Sequence, residues 1–191
     1  MSCTGPITHD AFLDWWAGEL PPAGRRQLEE HLLSCDACST RARAWGAVAE
    51  GVLGLLAEGD LPAAVLPSVV ERLRRDGRRL REYRVAPGGG VHCTVGPDDD
   101  VVLARLAADL GGVTRVDLVS RVDDGLENRV ADLPFDPSAG EVILAPSADD
   151  LRARPRHVER LRLLAVSSDG ERLLGEYTFD HTPWPGLGGR A

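Results

Sequence analysis

His31-Leu32-Leu33-Ser34-Cys35-Asp36-Ala37-Cys38 is the stretch that decides how the first part of this chain folds. Residues four apart lie on one face of an α-helix, so His31 and Cys35 project side by side on a helix that reaches Cys35. A bend after that helix brings Cys38 to the same point. One imidazole nitrogen and two thiolates are ligands that tetrahedral Zn²⁺ accepts. The stretch therefore predicts a zinc site, the alternative being a buried cysteine pair beside a surface histidine.

A closed zinc site needs a fourth ligand, and two residues compete for that place. His9 begins a predicted helix, and its position on a rigid element favours it. Cys3 offers a softer ligand but lies on a segment interrupted by Gly5-Pro6. The predicted metal ligands are His9, His31, Cys35 and Cys38, with Cys3 as the alternative to His9. Without either residue, a three-ligand zinc with a bound water would be a hydrolytic centre. No carboxylate is placed as its general base, so we do not expect an enzyme.

Four helices are predicted around this stretch. Thr8 provides an N-cap and Gly18 a stop for the first helix, and Pro21-Pro22 redirects the chain into the second. Ser68 and Glu71 have the capping-box spacing that opens the fourth helix. The predicted ranges are 9–17, 22–34, 37–56 and 68–83. So small a bundle has little core, so zinc would supply much of its folding free energy. The zinc is either purely structural or, because thiolates are oxidisable, part of a redox switch.

The hydrophobic period changes from helical to alternating after residues 85–90, which contain Pro87 and Gly88-Gly89-Gly90. This segment is predicted to be a linker. Seven short strands follow, with a type I′ hairpin signal at Asp169-Gly170. The predicted strands are 91–95, 101–110, 113–122, 129–133, 141–145, 158–167 and 171–179. Their spacing is typical of a small antiparallel, immunoglobulin-like β-sandwich.

The predicted fold class is therefore α+β with two domains. A zinc-binding helical bundle covers residues 1–84, a linker 85–90, the β-sandwich 91–182 and a loose tail 183–191. The chain of 191 residues carries a formal charge of −8, and neither half is basic, which disfavours direct nucleic-acid binding. It contains no apolar run that could cross a bilayer and no signal peptide pattern at its start, so we expect a cytoplasmic protein with no membrane partner.

The N-terminal part resembles the zinc-binding anti-sigma factor domain of bacteria. The resemblance rests on three short motifs and covers about residues 8–58, or up to Tyr83 if the fourth helix belongs to it. These motifs are Gly18-Glu19-Leu20-Pro21-Pro22, Leu28-Glu29-Glu30-His31-Leu32 and Cys35-Asp36-Ala37-Cys38. It implies that His31, Cys35 and Cys38 bind the metal. The family's upstream ligand usually lies a few residues further from the Gly-Glu-Leu turn than His9 does, and Cys3 lies slightly too far from that turn.

The resemblance also implies a function. In that family the helical domain inserts between the two domains of an extracytoplasmic-function sigma factor and blocks its binding to RNA polymerase. A C-terminal region receives the signal. We therefore expect an anti-sigma factor whose partner contacts include Val52, Leu56 and Leu73. The alternative is a zinc-containing adaptor that binds a partner other than a sigma factor.

Overall fold

The computed structural model describes residue 3 and residues 5–57 and 63–185. The chain divides into two compact units, an N-terminal unit of Met1–Gly54 and a C-terminal unit of Leu55–Ala191. The predicted boundary at residues 85–90 is therefore wrong, and the fourth predicted helix belongs to the C-terminal unit. The side chain of Leu56 and the end of the predicted tail, residues 186–191, lie outside the described part of the chain.

Three helices form the N-terminal unit, and their ends follow local sequence signals. Helix α1 spans His9–Ala17, and the Thr8 hydroxyl accepts a hydrogen bond from the Ala11 amide at 3.2 Å. Gly18 ends it in the left-handed conformation (φ 84°), which glycine adopts without steric cost. Helix α2 spans Pro22–Ser34 and α3 spans Asp36–Ala57. The three predicted helices are thus confirmed.

The core of the N-terminal unit is small. Among its described residues the buried hydrophobic side chains are Phe12, Leu28 and Cys38. The Phe12 ring lies 5.2 Å from the ring of Trp45 on α3, which joins α1 to α3. A core of this size buries little apolar surface, so the unit depends on an additional source of folding free energy.

The fourth predicted helix ends early. Helix α4 spans only Pro67–Arg75, and Gly77 (φ 76°) then turns the chain into strand β2, Leu80–Val85. The prediction of a helix over 68–83 is wrong in its second half because the Asp76-Gly77 turn breaks it. Strand β2 pairs in parallel with a later strand, and such long-range pairing leaves no local signal.

Two sheets make up most of the C-terminal unit, and all seven predicted strands are present in them. The remaining elements are β1 Ala63–Val65, β3 Gly90–Cys93, β4 Val101–Ala107, β5 Val116–Val122, β6 Asn128–Val130, β7 Glu141–Ala145, α5 Ala148–Ala153, β8 His157–Ser167 and β9 Gly170–His181. The strand orders are β1-β7-β4-β2 and β3-β9-β8-β5-β6. Buried side chains of both sheets share one hydrophobic cluster.

The strand pairing departs from the predicted antiparallel sandwich. Strands β2 and β4 run parallel, as do β3 and β9, while the other pairs are antiparallel. The immunoglobulin-like arrangement is therefore not confirmed, although an α+β chain with helices first and sheets after is. The last hairpin closes through Ser168 and Asp169, because Ser167 pairs with Gly170.

The glycines at 88–90 form a turn that leads into the second sheet rather than a linker, and Gly90 begins strand β3. The Gly88 amide donates to the Glu176 carbonyl at 2.8 Å, and Gly90 is in register with Thr178. A Cβ atom at Gly89 would lie 2.9 Å from the Ala86 carbonyl oxygen, which explains a glycine there. The run makes a tight turn that places β3 at the edge of the second sheet.

Candidate metal centre

The junction of α2 and α3 brings three of the predicted ligands together. His31 lies in the last turn of α2, and Cys35 follows as its C-cap, with its amide donating to the His31 carbonyl at 2.9 Å. The Cys35 carbonyl accepts from the Ser39 amide, which is the first hydrogen bond of α3. Cys38 lies in the first turn of α3. The one-residue break between helices makes the bend that the His-Cys-Cys spacing requires.

Cys3 completes a cluster of four ligands. The ligand atoms of Cys3, His31, Cys35 and Cys38 all lie within 4.8 Å of one another. The Cys3 Sγ atom is 3.4 Å from His31 Nε2 and 3.7 Å from Cys38 Sγ. A tetrahedral zinc with bonds of about 2.3 Å to sulfur and 2.0–2.1 Å to nitrogen needs separations of about 3.8 Å (S to S) and 3.5 Å (S to N). The cluster has the dimensions of a Cys₃His zinc site.

The prediction of His9 as fourth ligand is wrong. Its ring contacts the Trp45 ring edge-to-face at 5.1 Å and is not part of the cluster. The segment before α1 is instead held at α3, where the Arg41 guanidinium donates to the Ile7 carbonyl at 2.7 Å. Gly5-Pro6 therefore does not carry Cys3 away from the site. A thiolate also suits zinc at least as well as a second imidazole.

The protein environment favours a thiolate at Cys35. The Cys38 amide contributes most to lowering the pKa of Cys35, and the Ala37 amide adds to it. Both amides belong to the first turn of α3, whose unpaired N–H groups stabilise negative charge. At Cys3 the Gly5 amide acts in the same direction, but burial and the neighbouring Cys38 and Cys35 thiols raise its pKa overall. A bound cation would stabilise the thiolate forms of these neighbouring cysteines.

Four protein ligands make a closed site. Structural zinc sites are four-coordinate with Cys and His ligands, whereas catalytic sites keep one position for water. With Cys3 in the fourth position, the arrangement is that of a structural zinc, and it would link the start of the chain to the α2–α3 junction. The alternative of a hydrolytic zinc with three protein ligands and a water required that no fourth residue reach the site, and Cys3 does reach it.

The predicted partner contacts fall in different environments. Val52 is 47% exposed on α3, and Val48, one turn earlier on the same face, is 68% exposed. Leu73 is buried to 2% exposure in the C-terminal unit, so its prediction as a contact residue is wrong: its side chain packs the core. The side chain of Leu56 is not described. Val48 belongs to the same apolar stripe as Val52, which its helical spacing predicts.

Comparison with known proteins points to the same segment. Residues 8–39 match the family "Putative zinc-finger", the domain of zinc-binding anti-sigma factors, as the sequence resemblance predicted. No curated protein matches the chain. Among solved structures, the N-terminal domain of phage TP901-1 ORF48 aligns with 55% of this chain and 98% of its own, at 8% identity and a TM-score of 0.35. The match to the zinc-finger family includes His31, Cys35 and Cys38 but not Cys3.

None of the described helices combines the length and the apolar composition that a membrane span needs.

Proposed function

We propose that this chain is an anti-sigma factor that binds an extracytoplasmic-function sigma factor in the cytoplasm and keeps it from RNA polymerase. The observation that carries the proposal is the Cys3-His31-Cys35-Cys38 cluster, three of whose residues lie in a segment matching the domain of zinc-binding anti-sigma factors. A regulatory binding role agrees with a closed zinc site, which has no position for a substrate.

Zinc has a defined part in this proposal. The cluster joins Cys3 to the end of α2 and the start of α3, in a bundle whose hydrophobic core is small. Structural zinc contributes about 10–16 kcal/mol of apparent binding free energy in zinc-finger peptides. The metal therefore fixes the angle between α2 and α3, and with it the surface that α3 presents.

The exposed apolar face of α3 is the proposed contact surface. Val48 and Val52 are four residues apart, so their side chains lie one above the other on one helix face. A face of this kind is what a helix-in-groove contact uses. Burying a valine completely contributes on the order of 1.5–3 kcal/mol, and an arginine there would add the cost of desolvating a charge.

The test is co-purification of the zinc-loaded full chain with bacterial extracytoplasmic-function sigma factors, followed by in vitro transcription with RNA polymerase. Val52→Arg is expected to weaken binding by about tenfold or more, since each 1.4 kcal/mol is tenfold. Leu173→Arg is the matched control, because Leu173 is similarly exposed (51%) but lies on β9. Circular dichroism of both variants distinguishes a lost contact from a lost fold.

A second outcome would select the alternative function. A folded, zinc-loaded chain that neither binds a sigma factor nor inhibits transcription would contradict the anti-sigma proposal. The adaptor that uses the same α3 face for a different protein would then be the better description.

A further inference from the structure

The C-terminal unit contains a cavity of about 520 Å³ between its two sheets. Its walls come from the nine described strands of both sheets and from α5, and most of the lining side chains are aliphatic or aromatic. Representative lining residues are Ala104, Leu118, Leu144, Leu161 and Phe179. A volume of 300–1,000 Å³ with mostly apolar walls is typical of sites for small molecules. The lining includes the exposed residues Val130 and Arg154, so the cavity reaches solvent.

One wall of the cavity carries a buried polar group without a partner. His181 on β9 is 1% exposed, and within the described part of the chain no group makes a hydrogen bond to its Nε2 atom. Burial, and then His157, lower the pKa of His181, whereas a contact with the Leu151 backbone that falls outside hydrogen-bond geometry raises it. The ring is therefore neutral at pH 7. A buried polar atom left without a hydrogen bond is unfavourable, so this nitrogen requires a ligand or a bound water as its partner.

The neighbours of His181 define which kind of hydrogen bond is missing. Its Nδ1 atom lies 3.8 Å from the Cys93 sulfur. Burial raises the pKa of Cys93 to about 11, so this thiol stays protonated and we assign its hydrogen to Nδ1 of His181. A neutral imidazole that accepts at Nδ1 carries its own proton at Nε2. The unpaired group is then an N–H donor that needs an acceptor.

The same wall disfavours both a metal and an anion. Cys93, His157, Glu159 and His181 all have ligating chemistry, but among the described residues the Cys3 cluster is the one group of three or more such side chains that is placed to hold a metal ion. Burial raises the pKa of Glu159, which shows that this wall solvates negative charge poorly. The cavity is suited to an uncharged molecule.

We propose that this cavity binds an uncharged, largely apolar small molecule with a hydrogen-bond acceptor, such as a carbonyl oxygen, and that His181 Nε2 donates to that acceptor. The apolar walls provide the affinity and the histidine the orientation. The inference does not depend on the anti-sigma proposal, because every lining residue belongs to the C-terminal unit. A ligand bound in this cavity would be the signal that the C-terminal unit receives if that unit is a sensor.

Three probes of similar shape test the proposal on the full, zinc-loaded chain. Acetophenone presents a carbonyl acceptor, isopropylbenzene replaces its oxygen with a methyl group, and benzoate adds a charge. Titrations followed by the methyl resonances of Ala104, Leu118 and Leu144 give both the affinity and the place of binding. We expect the two neutral probes to bind in the cavity and benzoate to bind at least tenfold more weakly than acetophenone.

The role of His181 is tested by a cycle of probes and variants. His181→Phe keeps a ring but removes the donor, and it should weaken acetophenone relative to isopropylbenzene by about five- to tenfold, the value of one hydrogen bond. His92→Phe is the matched control, since His92 lies on β3 with its side chain 86% exposed. It should leave the ratio of the two affinities unchanged. Ala104→Leu, or Val130→Phe at the exposed end, should weaken both probes, whereas Ala107→Leu outside the cavity should not.

Several results would overturn the proposal. These are failure of both neutral probes to bind at their solubility limits, tightest binding of benzoate, or an unchanged affinity ratio in His181→Phe. A measurement on the wild-type chain covers the case in which His181→Phe does not fold. The ring ¹⁵N shift of His181 Nε2 should change with acetophenone but not with isopropylbenzene, and equal shifts would contradict the assigned donor.

Discussion

Replacing Cys3 with alanine removes the ligand that lies furthest from the others along the chain. The Cys3 sulfur contacts both His31 Nε2 (3.4 Å) and Cys38 Sγ (3.7 Å), so its loss opens one face of the tetrahedron. If about 10–16 kcal/mol of structural zinc binding is shared among four ligands, each contributes about 2.5–4 kcal/mol. We therefore expect Cys3→Ala to weaken zinc binding about 100- to 1,000-fold.

A competition titration with a chromophoric zinc chelator, at pH 7 and under reducing conditions, measures this change. His9→Phe is the control, because phenylalanine preserves the ring contact with Trp45 and removes only the nitrogen atoms. It should change zinc affinity less than about threefold. The reasoning is refuted if Cys3→Ala binds zinc as tightly as the unmodified chain, or if His9→Phe loses zinc to the same extent as Cys3→Ala.

Three further predictions concern the C-terminal unit and are followed by chemical denaturation of the full chain with methyl NMR. Leu73→Ala should destabilise the unit by about 2–5 kcal/mol, since Leu73 is 2% exposed; a change below about 1 kcal/mol would contradict its core position. Arg115 holds the pKa of Asp117 below its unfolded value of 3.8 despite burial. The ionised carboxylate therefore stabilises the folded chain above pH 4, and this stabilisation is lost as the pH falls toward the lower pKa of the folded state. The difference in unfolding free energy between the native chain and Asp117→Asn should decrease only below about pH 4. Tyr177→Phe removes a 2.6 Å hydrogen bond to the Ala107 carbonyl and should cost about 1 kcal/mol; an unchanged midpoint would exclude a net contribution.

The sequence predicts those ligands of the metal centre that lie close together along the chain. His31, Cys35 and Cys38 lie within eight residues, so helical geometry and one bend are enough to bring them together. Cys3 is 28 residues from His31, and its place depends on a contact between the Ile7 carbonyl and the Arg41 side chain. Periodicity carries no signal for such a contact. A preference for a ligand on a rigid helix therefore selected His9 wrongly.

The fold shows the same division between local and distant determinants. The Thr8 cap and the Gly18 stop predicted the ends of α1, and Pro21-Pro22 predicted the start of α2, because those signals act within one turn. Most of strand β2 was predicted as the end of a helix. Leu80–Val85 owes its conformation to a parallel pairing with β4, in which each residue pairs with one twenty-one positions later in the chain. The turn at Gly88–Gly90 was predicted as a linker for the same reason: its partner, β9, lies at the far end of the chain.

X-ray absorption spectroscopy at the zinc edge of the purified full chain tests the central claim most directly. A centre built from Cys3, His31, Cys35 and Cys38 requires three sulfur ligands at about 2.3 Å and one nitrogen at about 2.0–2.1 Å, with one zinc per chain. A first shell of two sulfurs and two nitrogens would restore His9 as the ligand, and a shell without sulfur would contradict the site altogether.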